Sequence, residues 1–142
     1  MTGIGEAEAV RRLAQACPGF RDTLAAYEDT GGRLDEGFNV MSELAQWVVE
    51  QAKAGAFACF DELFDELEVL LGNSDADARQ VLVIGFLEDI HNFTVRLESP
   101  ATRSDPDAFL AYLGAASRGE WFRLVANYVK WGEAWPGRVA DG

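Results

Sequence analysis

Residues 60–97 read FDELFDELEVLLGNSDADARQVLVIGFLEDIHNFTVRL, and the spacing of the apolar residues in this stretch decides the fold. In its first part Phe60, Leu63, Phe64, Leu67, Leu70 and Leu71 recur at intervals of three and four. That is the stripe of an amphipathic helix packed on one side, expected over 56–71 and stopped by Gly72-Asn73. Asp61, Asp65 and Glu68 fall on another face, with Glu62 and Glu66 at its flank. The second part, 75–97, is apolar almost all round. Its run VLVIGF suits a buried strand, but Leu82, Phe86, Ile90, Phe93 and Leu97 repeat at four and three over more than a strand's length. A helix apolar on every side is a central one, wrapped by its neighbours. Ser74 is its expected cap, Asp75 and Asp77 suit the positive end of the helix dipole, and Gly85 permits a close helix approach.

Working outward, the same period continues. Toward the N terminus, Val10, Leu13 and Cys17 mark a helix from Glu6 that Pro18 ends. A short helix from Pro18 or Gly19 carries Phe20, Leu24 and Tyr27 and stops at Gly31-Gly32. A third helix is expected from an Asn39 cap to about Ala54, closed by Gly55. Toward the C terminus, Asp105-Pro106 starts a helix that runs to Leu113, and a last helix from Ser117 or Gly119 reaches about Trp131. The expected fold is all-α: one domain over 1–142, a bundle of six to seven helices around a central apolar helix near 75–97. Solenoid-like stacking of successive helix pairs is compatible with the short loops. At 142 residues the chain can bury a proper core.

The charge is concentrated. The formal net charge is -12, and residues 61–98 hold ten carboxylates against Arg79 and Arg96, which is -8 of it. A pI near 4.4 argues against nucleic acid and against anionic membrane surfaces, both of which need Lys and Arg. The natural partner of such a surface is a basic protein; the competing explanation is solubility alone. No basic-then-apolar leader opens the chain and no window has the roughly 18 apolar residues of a membrane span. The expected location is therefore the cytoplasm. Cys17 and Cys59 form no CxxC, and there two free, partly buried thiols are expected rather than a pair.

Catalytic signatures are missing from the sequence. Glu88-x-x-His91 has the spacing of half a di-iron site, but His91 is the single histidine, so the full ligand set cannot be assembled. Glu62 or Glu66 could complete only a lesser site. Cys17 or Cys59 with His91 and Asn92 has the residue types of a thiol hydrolase without its local signature. There is no GxSxG, Walker loop or HExxH, and Gly3-Ile4-Gly5 follows no strand. An acid pair such as Asp61/Asp65 on an amphipathic helix is ordinarily a solvated face. Neither a cofactor nor a metal is expected. The C-terminal aromatics Trp121, Phe122, Tyr128, Trp131 and Trp135 read first as core, with an exposed interface stripe as the alternative.

Taken in order, FDELFDELEVLL, DADARQVLVIGFLEDIHN, AFLAYLG and SRGEWFRLVANYVKW resemble a bacterial family of domains of unknown function, numbered 7674 among such families. The most specific pieces are Gly85-Phe86-Leu87-Glu88-Asp89 and Leu113-Gly114 with Trp121. On these motifs the family-like region spans 37–135, with 1–36 as an N-terminal helical extension. The resemblance implies an all-helical fold and brings no catalytic residues. By analogy alone, small acidic proteins of this type look like immunity proteins of bacterial toxin systems.

The functional expectation is a non-enzymatic binding protein that neutralises a cognate basic toxin, a nuclease or another enzyme acting on nucleotides or phosphates. Its candidate partner-binding residues are Asp61, Glu62, Asp65, Glu66 and Glu68, then Asp75, Asp77, Glu88 and Asp89, with Trp131 and Trp135 as aromatic anchors. The alternatives are a homodimeric scaffold joined through the C-terminal aromatics, and an enzyme with a carboxylate or metal site.

Overall fold

The computed structural model describes residues 3–96 and 106–130, and among these the chain is all-α. Helix α1 spans Glu6–Gln15, a 3-10 turn Pro18–Phe20 leads into α2 at Arg21–Asp29, and α3 covers Phe38–Lys53. Helix α4 is Phe60–Asn73. The segment 76–96 is one continuous helical run. It opens as α5, Ala76–Gln80, widens into π-type turns over Val81–Leu87, tightens as α6, Glu88–His91, and widens again over Asn92–Arg96. A 3-10 helix, Pro106–Tyr112, precedes α7 at Ala115–Lys130.

The central position expected for 75–97 holds where it is described. Val81, Leu82, Phe86, Leu87 and Ile90 are buried, and the π segment packs on α3. Gly85 makes that packing close. A Cβ there would stand 3.2 Å from both the Met41 Cβ and the Phe38 Cδ1. Ile84, on the other side of the same turn, remains 41% exposed, so the run is not enclosed all round.

The arrangement is a bundle and not a solenoid. In a solenoid each repeat touches only its neighbours, whereas α1 packs against α3, α4 and α5 as well as α2. Ala9, Val10, Leu13 and Ala14 of α1 are fully buried in the common core. Residues 3–36 are thus part of the bundle, because α1 buries its apolar side against α3, α4 and α5. Ile4 reinforces this. Its N–H donates to the Asn73 carbonyl at 2.8 Å, and its carbonyl accepts from the Asp75 N–H at 2.8 Å, an isolated bridge beside Ser74.

Several boundaries differ from the sequence expectation. Helix α4 starts at Phe60 and not at residue 56. Helix α3 starts at Phe38 behind Gly37, so Asn39 lies inside it, and the Gly37 N–H is taken by a remote carboxylate, Glu6 Oε2, at 2.7 Å. The cap of α5 is Asp75, whose side chain accepts from the Ala78 N–H at 2.9 Å, which leaves Ser74 one residue outside the cap position. The segment after Pro106 winds as a 3-10 helix, which lets Phe109 stack on Phe60 at 6.0 Å and Tyr112 pack edge-on to it at 5.3 Å.

The cysteines are the clearest correction. Cys17 and Cys59 are joined in a disulfide, with Cα atoms 5.5 Å apart and a separation of 42 positions in sequence. Cys17 ends the chain leaving α1 and Cys59 precedes α4, so the α1–α4 contact brings them together. With the pair joined, the expectation of free thiols, on which the cytoplasmic assignment partly leaned, falls away. Among the described residues no helix is long and apolar enough to cross a membrane.

Candidate functional site

Helix α4 lies between α1 and α7, and its acids divide by what they meet. On the α1 side, Glu66 Oε1 receives the Arg12 Nη2 at 2.7 Å and Nε at 2.9 Å. On the α7 side, Glu68 reaches the start of the next helix. Its Oε1 accepts the Ala116 N–H at 2.6 Å, and its Oε2 accepts the Ser117 N–H at 3.1 Å and hydroxyl at 2.8 Å. A helix start has unpaired N–H groups and a partial positive charge, and Glu68 answers both. Burial alone would push its carboxyl up. The Ala116 and Ser117 hydrogen bonds and the nearby Arg79 charge outweigh that and hold it below the usual glutamate range.

A second network lies alongside. Arg79 donates to the Leu71 carbonyl at 2.5 Å and to the buried Glu120 at 2.9 Å, and Arg123 adds a 3.1 Å contact to the same carboxylate. One of the two basic residues of the acidic stretch is therefore used inside the fold.

Between the flanks runs the outer face of α4. Asp61, Glu62 and Asp65 are exposed and have no counter-ion among the described residues. Val69, one turn beyond Asp65, is 48% exposed. Phe57, three residues ahead of α4, is 40% exposed and stacks on Tyr112 at 6.2 Å. The outer face thus has carboxylates in its middle and an apolar side chain near each end.

The remaining candidates are scattered. Asp75 caps α5, Asp77 is exposed in the first turn of that helix, and both sit where the dipole favours anions. Glu88 and Asp89 are half-buried on α6, and Asp89 accepts from Asn92 Nδ2 at 2.9 Å. His91, the last residue of α6, is 1% exposed. Among the described residues no three His, Cys, Asp or Glu side chains gather as a metal-binding group. Trp131 and Trp135 lie outside the described residues, while Trp121 and Leu124 of α7 are buried in the core. The sequence reading missed Val69 and Phe57, because an apolar residue at helical spacing reads as core by default. It missed Arg12 because the pairing spans 54 residues.

No curated protein and no solved structure matches the chain. A family does match, over residues 10–128, from within α1 to the last turns of α7. The match starts well before residue 37, in agreement with a core that needs α1. The chain belongs to the family described as Domain of unknown function (DUF7674).

Proposed function

We propose that the outer face of α4 is the docking surface for a basic protein, and that the chain is a non-enzymatic binding protein which neutralises a cognate bacterial toxin by covering its basic active-site face. One observation carries the binding part. Asp61, Glu62 and Asp65 stand exposed without counter-ions among the described residues, while the acids on either side, Glu66 and Glu68, are engaged by α1 and α7. Three unscreened carboxylates on a rigid helix steer a cationic partner at long range and pair with its Lys and Arg on contact. Val69 and Phe57 add apolar area of the kind that supplies affinity. The neutralising role rests on the likeness to small acidic immunity proteins.

The test is co-expression and purification with the protein encoded next to this chain in its genome. A complex is expected whose dissociation constant rises with salt and rises at least about tenfold in the Asp61→Lys/Asp65→Lys variant. The same variant is expected to lose protection of growing cells. A complex indifferent to both salt and charge reversal would remove α4 from the interface.

A further inference from the structure

Where the 3-10 turn and the start of α2 meet α3, an open groove of about 320 Å³ is lined by Phe20, Thr23, Glu43, Gln46, Trp47 and Glu50. We propose that this groove binds the head of an organic ammonium ion, with the Trp47 indole as its floor and Glu43 and Glu50 as its charged rim.

The geometry follows from helix spacing. Glu43, Gln46, Trp47 and Glu50 stand at i, i+3, i+4 and i+7 on α3, so they share one face, with a carboxylate one turn to either side of the indole. Phe20 meets the Trp47 ring at 6.0 Å and 62°. Phe20 is itself 1% exposed, so it fixes the indole from behind, and half-buried Trp47 supplies the open aromatic surface. Gly19 closes the edge of that ring: a Cβ there would stand 2.9 Å from Trp47 Cζ2.

The chemistry of these walls selects its ligand. An indole face attracts a cation through its quadrupole, most strongly when the cation is weakly hydrated. Glu43 has no counter-ion among the described residues, and Glu50 meets only Lys53 in this region, at 3.8 Å on an exposed pair. That alkylammonium is the same type of group the groove would take. An anion is repelled by both carboxylates, and a neutral apolar ligand leaves them unused. The volume sits near the lower end of small-molecule sites, about 300 Å³, which suits a head group.

The experiment is a titration of the whole protein followed by the Trp47 indole N–H resonance, with choline as probe and its neutral isostere 3,3-dimethylbutan-1-ol as control. A saturable shift in the millimolar range is expected with choline, at least about tenfold weaker with the neutral compound. Glu43→Gln/Glu50→Gln changes two exposed side chains, is expected to keep the wild-type circular dichroism spectrum, and is expected to weaken choline at least about fivefold. N-acetyl-lysine methylamide in the same titration distinguishes a small quaternary ammonium compound from a lysine side chain as the source. No saturable shift with choline or the lysine amide, equal affinity for the neutral isostere, or indifference to the double Gln variant overturns the proposal.

Discussion

Gly114 is the clearance for Glu68: a Cβ on Gly114 would stand 2.6 Å from the Glu68 carboxyl carbon. The Leu113-Gly114 turn and Glu68 of the acidic helix, 46 positions earlier, are therefore one device. Gly114→Ala is expected to push the carboxylate off the Ala116 and Ser117 N–H groups. The loss should be about 1–3 kcal/mol, more than the backbone-entropy gain of a Gly→Ala change. Glu68→Ala should cost about 1–2 kcal/mol, in line with a lost helix cap. Urea unfolding of both variants measures this, and two curves that overlay the wild type would mean the contact contributes nothing.

The same carboxylate gives a pH dependence of definite sign. Its folded-state pKa lies below the ordinary value of 4.5, so the unfolded chain takes up the proton first. The contribution is fully present above that ordinary value and is lost as pH falls through the folded one. The stability gap between wild type and Glu68→Gln is expected to be constant near neutrality and to shrink in the acid range below the ordinary glutamate value. A gap that widens on acidification contradicts the assignment.

Opening the Cys17–Cys59 bond is expected to destabilise the fold strongly. The bond spans 42 residues, and the chain-entropy relation gives about 4 kcal/mol for a loop of that length, an upper figure if the reduced chain retains structure. Thermal unfolding with and without reductant, and of Cys17→Ser/Cys59→Ser, reads it directly. Identical melting under both conditions would show that the thiols are not joined in solution.

Neutralising the outer face of α4 should leave the fold untouched. Asp61→Asn/Glu62→Gln/Asp65→Asn relieves the repulsion among three charges without counter-ions among the described residues but gives up two first-turn acids that the helix dipole favours, so the melting temperature is expected to change little. Arg12→Ala by contrast breaks the contact to Glu66 and should cost about 0.2–1 kcal/mol, the range of partly exposed ion pairs. If the triple variant melts lower than Arg12→Ala, the face is structural.

Much of this was legible from spacing alone. The stripe Phe60–Leu71 and the run Val81–Ile90 are local patterns, and burial follows them except at Ile84. What spacing cannot carry is pairing across the chain. Glu6 for Gly37, Glu68 for Ala116 and Arg12 for Glu66 each join residues at least 31 positions apart. Asn39 and Ser74 were plausible caps by residue type, but α3 starts one residue ahead of Asn39 and Asp75 takes the cap position of α5. The site shows the same division. Asp61, Glu62 and Asp65 are readable as an outer face from helical phase, yet the retirement of Glu66 and Glu68 into the fold depends on where α1 and α7 lie. The 3-10 winding of Pro106–Tyr112 has no signal in its composition; it follows the aromatic stack on Phe60.

The position of α1 also sets an order of events. It is synthesised before α3, α4 and α5, the helices whose surfaces bury Ala9, Val10, Leu13 and Ala14. Until α5 exists, those four side chains have no complete home, and Ile4 has no strand partner before Ser74. On a growing chain α1 is an exposed amphipathic segment waiting for its core, the state in which aggregation competes with folding. Its two adjacent arginines, Arg11 and Arg12, keep that waiting segment charged until Glu28 and Glu66 arrive to meet them.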